Sequence, residues 1–412
     1  MSSFKSERSA AILTRAAYVS FVPIGIGTVL LGPMLPFLSA RWSLNYAQAG
    51  ALFTAQYLAS TCAVALSGAL VSRFGFRFAM KLGIFLMAIG IAFLMEGPKL
   101  LGIFCIAVYG GGLGIAVPAA NLLVAEVNPE RRSASLNWLN FCWSAGAVAC
   151  PFLVALASRH QQVSLFLTLV AGFSLMVFIA IALMPRDIVE PDVRRRSPSG
   201  TLATVQENLA AFLTLAALFF LYVGTENGFG GWIASYAKSL GNISPAESLM
   251  TPSFFYASLM AGRSLAPALL RAMSDVSLAK FGLILACGGM AGLLGSGGLT
   301  GVLVSACAAG LGLSAVYPIT IALLAKEFGA SSSRIGSAMF VLSNIGGGLL
   351  PWMVGISSSA RATLKAGLVV PLIGCALMFA LYLRNWAGTE GKRDAGSGDF
   401  NRSQPVPPAA KS

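Results

Sequence analysis

Apolar runs separated by short polar segments recur along the whole chain. A helix that crosses a bilayer needs about 20 predominantly apolar residues, and each run has roughly this length. The pattern therefore predicts an all-α integral membrane protein with twelve transmembrane helices. With edges placed to within several residues, the runs lie at about 16–38, 47–71, 79–96, 100–125, 134–157, 163–184, 209–237, 251–271, 278–297, 299–325, 335–358 and 364–385.

The polar segments divide the chain into five parts. Residues 1–15 are polar and basic and predict a short N-terminal segment, and residues 387–412 have the composition of a disordered tail. The longest internal polar stretch, residues 185–208, contains Arg194, Arg195 and Arg196 and predicts a linker. This linker separates two predicted six-helix bundles, at 16–184 and 209–386.

The charged residues indicate a membrane protein and its orientation. Only 10% of the 412 residues are charged, against about 25% in soluble domains, so a water-soluble fold is excluded. The net charge of +13 does not indicate nucleic-acid binding, because no basic cluster is interleaved with exposed aromatics. Of the 28 Lys and Arg residues, 21 lie on one side of the predicted helices and 6 on the other. The positive-inside rule then places both termini and the linker in the cytoplasm.

An internal repeat relates the two predicted bundles. Pro118 and Pro151 are 33 residues apart, and a shift of 200 residues carries them onto Pro318 and Pro351. Two parallel six-helix repeats are typical of a transporter whose site lies at the midplane between the halves. The glycines that repeat with these prolines include Gly110 and Gly310, Gly146 and Gly346 and, near a shift of 199, Gly83 and Gly282.

Two loop motifs resemble signatures of the major facilitator superfamily. Residues 68–77, GALVSRFGFR, resemble the signature between helices 2 and 3, with Ser72 in place of its usual Asp. Residues 128–132, NPERR, resemble the basic loop after helix 4. The resemblance covers nearly the whole chain. It implies a transporter built from two pseudosymmetric six-helix bundles that works by alternating access.

Further segments resemble one group of that superfamily, the fucose–galactose–glucose symporters and their animal glucose-transporter relatives. They are residues 119–121 (AAN) with 136–147 (LNWLNFCWSAGA), and residues 222–233 (YVGTENGFGGWI). The resemblance implies a hexose substrate and a monomeric protein. The intramembrane Asp and Glu of the fucose permease, both tied to proton coupling, align with Gly32 and Val117. The same proton pathway is therefore not expected.

Two charged residues lie inside apolar runs. Glu226 is the only acidic residue well within a run, and intramembrane acids are functional candidates by default. Its carboxylate can couple transport to a proton or Na⁺, or it can accept hydrogen bonds from sugar hydroxyls. Arg263 is the only base within a run and stays charged in any protein environment. Arg263 can bind substrate, or it can be anchored by backbone carbonyls or by Glu226. A structural Glu226–Arg263 ion pair between helices 7 and 8 is thus an alternative for both residues.

Amide and aromatic side chains gather on the predicted helices around the midplane. Asn137, Asn140 and Trp143 share one face of helix 5, where amides can match vicinal hydroxyls and the indole can cover a pyranose. For each single residue, hydrogen bonding between helices is an equally open interpretation. The other candidate substrate-binding residues are Gln56, Asn121, Glu226, Asn227, Trp232, Tyr317 and Asn344.

Helix 7 contains a glycine-rich segment next to Glu226. Gly228, Gly230 and Gly231 lie within four residues and predict a break or bend in the helix. Unwound backbone at membrane depth lines a cavity rather than lipid, so a sugar or ion near the break is expected. Close packing of helices through small residues is the alternative.

These features favour a secondary transporter of a small neutral solute, most simply a hexose such as glucose, in the bacterial inner membrane. Symport with H⁺ or Na⁺ and facilitated diffusion both stay open, and no other cofactor is expected. The sequence has no Gly-x-x-x-x-Gly-Lys-Ser/Thr loop for ATP. Its only histidine, His160, lies in an outer loop, which argues against an enzyme. The competing hypotheses are an exporter of amphipathic small molecules or drugs and a membrane receptor that does not transport.

Overall fold

The structure is a computed structural model that describes residues 2–185, 188, 190, 191 and 208–383. Most of the predicted linker, including Arg194 to Arg196, lies outside these residues. The predicted tail at 387–412 and the last three residues of the second predicted bundle also lie outside them. The boundaries of the five predicted segments therefore stay predictions.

The first half of the described chain forms six helical passes joined by short loops. Its first pass starts well before the predicted apolar run, because the Ser, Lys, Glu, Arg and Ala residues before it continue the helix. The helices are α1 (Ser2–Val29) and α2 (Leu31–Arg41), which make up the first pass, α3 (Tyr46–Phe74), α4 (Phe76–Ala92), α5 (Lys99–Val127), α6 (Arg132–Arg159) and α7 (Val163–Ala182).

The second half repeats this arrangement with two broken passes. One break separates α8 from α9 at Gly231 and Trp232, as the glycines of helix 7 predict. The other separates α12 from α13 at Ser314 and Ala315. The helices are α8 (Leu209–Gly230), α9 (Ile233–Ser239), α10 (Pro245–Leu269), α11 (Asp275–Gly295), α12 (Leu299–Leu313), α13 (Val316–Phe328), α14 (Ser332–Arg361) and α15 (Leu364–Leu383).

The helices have the length and composition of membrane spans. Ten of the passes in the described ranges contain a helix long and apolar enough to cross a membrane. The other two passes are α4, which has 17 residues, and α10, which carries Arg263 and two internal prolines. The described residues contain no β-strand. The predicted all-α membrane fold is confirmed.

Glycine contacts at repeat-related positions hold the helices of each half together. Gly146 of α6 lies against the backbone carbonyl of Val22 on α1, and Gly346 of α14 lies in the same way against Phe220 on α8. A Cβ at either glycine would overlap the facing carbonyl oxygen, so only glycine allows these helices to approach so closely. Two further pairs of contacts repeat between the halves. Gly110 lies against Gln56 as Gly310 lies against Phe255, and Gly83 lies against Gly112 as Gly282 lies against Gly312.

Glu190 binds to the loop motif at residues 68–77, which has Ser72 in place of the usual Asp. Its carboxylate accepts hydrogen bonds from the backbone amides of Phe76, at 2.6 Å, and Arg77, at 3.3 Å, at the start of α4. The Arg77 side chain lies 3.9 Å from the same carboxylate and donates to the Met184 carbonyl at 2.6 Å. An acid that follows the sixth pass thus caps the third pass and anchors the arginine of the motif.

The two halves meet at the end of the molecule opposite to Ser2 and Leu383. There α3 packs on α14, α2 on α9, and α6 on α10. A Cβ on Gly50 of α3 would lie 3.0 Å from the Cα of Trp352 on α14, and the Ala47 amide donates to the Ser359 hydroxyl at 2.9 Å. These contacts close this end. We infer that the space between the halves opens toward the end that holds Ser2 and Leu383.

Candidate functional site

Trp143 marks the place where the two halves approach each other at mid-depth. Its indole lies on α6 of the first half and faces α10 of the second half, with the Arg263 Cζ 5.7 Å from the ring centre. The Tyr256 ring meets the indole edge-on at 6.4 Å between centroids. Within its own half, the indole N–H donates to the Thr28 hydroxyl at 3.3 Å. Trp143 therefore joins the predicted polar face of α6 to the charged residues of the second half.

Arg263 and Glu226 both lie next to the hydroxyl of Tyr222. The Arg263 guanidinium donates to this hydroxyl at 3.4 Å, and the Glu226 carboxylate, one helical turn beyond Tyr222 on α8, interacts with the same hydroxyl. Arg263 and Glu226 themselves do not approach within 4.0 Å in the described structure, where the recorded ion pair is Arg77–Glu190. The structure thus places a tyrosine between the two groups in place of the direct ion pair.

Four tyrosines lie near Glu226, a residue that is only 7% exposed. Tyr57, Tyr222, Tyr256 and Tyr317 each interact electrostatically with its carboxylate. The Tyr317 ring also packs on the Tyr222 ring, with centroids 5.0 Å apart. Hydroxyl and carboxylate oxygens are of the kind that bind a polyol or a cation, and the carboxylate can also take up a proton.

Asn227 connects the site to the first half of the molecule. Its side-chain oxygen accepts a hydrogen bond of 2.8 Å from the Tyr57 hydroxyl on α3, and its amide nitrogen donates to the Val223 carbonyl of its own helix. The side chain is half-buried. Asn227 therefore lies at the predicted site and bridges the two halves in this conformation.

Trp232 lies in the closed end rather than in the accessible space. It is 1% exposed, donates its indole N–H to the Pro351 carbonyl at 3.0 Å, and packs between Tyr46 and Phe53 at 6.3 Å from each. The break between α8 and α9 directs this ring toward α14. These contacts support a role in closing this end, in place of the predicted sugar contact.

Gln56 and Asn121 use their amides in bonds between and within helices. Gln56 is 2% exposed, donates to the Thr28 carbonyl at 3.4 Å and accepts from the Tyr109 hydroxyl at 3.1 Å. Asn121 donates to the Val117 carbonyl of its own helix at 2.9 Å and is half-buried. Because both ends of the Gln56 amide are bonded inside the first half, the structure supports the interhelical interpretation for this residue.

The remaining candidates differ in how far they are exposed. Asn140 and Asn137 are exposed on α6, and Asn140 donates to the Leu136 carbonyl one turn before it. Asn137 lies one turn closer to the open end than Asn140. Asn344 on α14 and Tyr317 on α13 are half-buried. Trp143, Glu226, Asn227, Arg263 and Tyr317 are thus the candidates that the structure brings toward one region, and Asn140 lies one turn before Trp143 on α6.

Sequence reasoning missed Thr28, Tyr57 and Tyr256 as members of this region. A tyrosine or threonine within an apolar run has the composition of an ordinary buried helix, so no local pattern distinguishes these residues. The repeat did contain a signal, since a shift of 199 carries Tyr57 onto Tyr256. These two tyrosines approach Glu226 from opposite halves of the molecule.

The fold and this site define a class of protein: a polytopic helical protein with two repeat-related halves around polar groups at mid-depth, the architecture of an alternating-access transporter. Residues 17–351 match the model of the Major Facilitator Superfamily, and the chain belongs to this family. It is a multi-pass membrane transporter and not an enzyme.

Known proteins are similar to this chain over most of its length. The "Glucose/galactose transporter" of Brucella abortus is 24% identical over 385 residues, which cover 87% of this chain and 90% of the relative. The "Sodium-dependent glucose transporter 1A" of Mus musculus is 20% identical over 284 residues, or 60% of this chain and 67% of the relative. The crystal structure of a bacterial homolog of the human lysosomal transporter Spinster, inward-facing and unoccupied, has a TM-score of 0.74 at 14% identity and covers 91% of this chain and 97% of that chain. The predicted family resemblance is confirmed.

Proposed function

We propose that this protein is a secondary transporter that moves a hexose such as glucose or galactose across the bacterial plasma membrane by alternating access. It acts as a monomer with both termini in the cytoplasm, the orientation that the positive-inside rule predicts. In the described conformation, the space between the halves then opens toward the cytoplasm.

The observation that carries this proposal is the similarity to the Brucella abortus glucose/galactose transporter over 87% of the chain and 90% of the relative. The chemistry of the site agrees with it. Trp143 supplies a flat apolar face of the kind that covers a pyranose ring. Asn140, Asn227 and Glu226 supply donors and acceptors for hydroxyl groups.

We further propose that Glu226 couples sugar movement to H⁺ or Na⁺. It is a buried carboxylate without a direct ion pair in the described structure, so a bound proton or cation would lower the cost of keeping it in the membrane. The mouse relative with "sodium-dependent" in its name makes Na⁺ the first ion to test.

The test is uptake of labelled glucose and galactose into proteoliposomes with a pH gradient, a Na⁺ gradient or neither. We expect wild type to accumulate sugar above the outside concentration with one of the gradients. Glu226→Gln is expected to lose this accumulation but to keep exchange of sugar across the membrane, since the amide still hydrogen-bonds but cannot ionise. Glu96→Gln, an exposed acid between α4 and α5, is the matched control.

The two parts of the proposal fail differently in this experiment. Equilibration without accumulation under every gradient would leave a sugar facilitator and refute coupling through Glu226. The absence of any sugar flux, together with efflux of amphipathic compounds, would replace the sugar transporter by the exporter.

A further inference from the structure

Arg263 has more hydrogen-bond donors than the described structure satisfies. A guanidinium carries five N–H donors, yet the recorded bond is one of 3.4 Å to the Tyr222 hydroxyl. The Arg263 Nε is buried and has no hydrogen-bond partner. Because arginine stays charged in proteins, it cannot relieve this by losing its proton. A buried charged donor without an acceptor is costly, so the Nε is a donor that a ligand between the halves can satisfy.

The position of Trp143 shows where such a ligand can bind. The Arg263 Cζ lies over the Trp143 ring, 5.7 Å from its centre. Because Trp143 is on the first half and Arg263 on the second, the guanidinium lies where the halves meet.

The neighbouring charge restricts the chemistry of the ligand. The Glu226 carboxylate interacts electrostatically with the Arg263 guanidinium. The nitrogen and oxygen atoms of the two groups lie more than 4.0 Å apart, so they form no direct ion pair in the described structure. Together they form a site with no net charge that offers a donor group on one side and an acceptor group on the other. A neutral polyol satisfies both groups at once, because one hydroxyl can accept from Arg263 while another donates to Glu226.

We propose that Arg263 is a sugar-binding residue whose N–H groups donate to one hydroxyl oxygen, while Glu226 accepts a hydrogen bond from a second hydroxyl of the same sugar. This assignment rests on the proposed sugar transport and deepens it. It predicts that the site distinguishes sugars by the hydroxyls at two particular ring positions.

The test measures how well single-position deoxy- and fluoro-glucoses compete with labelled glucose for uptake into proteoliposomes. A deoxy position can neither donate nor accept, whereas a fluorine accepts weakly and cannot donate. At the hydroxyl that faces Arg263, we expect the fluoro analogue to compete better than the deoxy analogue. At the hydroxyl that faces Glu226, both analogues are expected to compete poorly. Each loss should be about 10- to 150-fold, the range for a hydrogen bond to a charged group.

Two substitutions of Arg263 then test whether this residue contacts the hydroxyl at which the fluoro analogue competes better than the deoxy analogue. In Arg263→Gln we expect glucose to bind about 10-fold or more weakly. The penalty for the deoxy analogue at the Arg263-facing position should shrink, because the neutral amide is a weaker donor, while the penalties elsewhere stay. Arg263→Lys retains the charge and should retain part of that penalty. Arg271→Gln, an exposed residue just beyond α10, is the matched control and should keep the wild-type profile. Thermal unfolding of each purified variant identifies any that fails to fold, in which case Arg263→Lys carries the test.

Other results would overturn the assignment. Folded Arg263 variants that transport glucose with the complete wild-type analogue profile would make Arg263 structural, although the sugar-transport proposal would stand. Stronger competition by a hexuronate than by glucose would replace the hydroxyl by a carboxylate as the ligand of Arg263. If wild type transported no sugar, the proposed function itself would fail, and the assignment with it.

Discussion

The two halves of this transporter are alike where helices touch and unlike in the charged residues of the site. Gly146 and Gly346, at a shift of 200 residues, each press against the carbonyl of a neighbouring helix in their own half. In the site, Tyr57 and Tyr256 repeat at a shift of 199, but the charged residues do not. The second half contributes Glu226 and Arg263, for which the first half has Gly27 and Val64 at a shift of 199.

This difference follows from what each kind of contact demands. Without water to drive helices together, association within the membrane depends on close backbone packing, which only small residues allow. A side chain that lines the space between the halves has no such restriction, so its chemistry can diverge. The divergence is useful, because a sugar is not symmetric and is recognised best by different groups on its two sides.

Substitutions of the glycines within each half should have the largest effect. Gly346→Ala would place a methyl group against the Phe220 carbonyl, and Gly146→Ala would do so against Val22. Both are backbone groups that cannot move away independently of their helix. We expect both to destabilise the fold by about 1–3 kcal/mol or more, measured as lower yields and lower thermal unfolding temperatures. Gly172→Ala, where a methyl group meets nothing within 4 Å, is the control. Equal stability of all three variants would refute the packing argument.

A glycine between the halves should affect transport more than stability. In Gly355→Ala the new methyl group would meet the Tyr46 carbonyl of the opposite half, which opposes closure of this end but leaves each bundle intact. A clash of about 1–3 kcal/mol would shift the balance between the two conformations by about 5- to 150-fold. We expect slower sugar exchange in proteoliposomes with an unfolding temperature near that of wild type. Normal exchange would mean that this contact does not govern closure.

The features that could be predicted are those that depend on residues close together in the sequence. The run lengths and the repeat predicted the all-α fold, and Gly228, Gly230 and Gly231 predicted the break after α8. Gln56 and Trp232 were predicted to bind sugar, but both are buried in contacts between helices. Their partners, such as Tyr109 for Gln56 and Pro351 for Trp232, lie far away in the chain, so the local sequence did not indicate these contacts. Periodicity indicates which face of a helix is polar, but not which distant group meets that face.

The smallest expected effect concerns the two amide side chains on α6 of the first half, Asn137 and Asn140. Asn140 is exposed one turn before Trp143, and Asn137 lies one further turn toward the open end. Loss of a neutral hydrogen bond costs about 0.5–1.5 kcal/mol. Asn140→Ala is therefore expected to weaken glucose binding by about 2- to 12-fold in transport competition, and Asn137→Ala by less. Equal effects at both positions would show that the sugar extends toward the open end, and no effect at either would move the binding site entirely to the second half and Trp143.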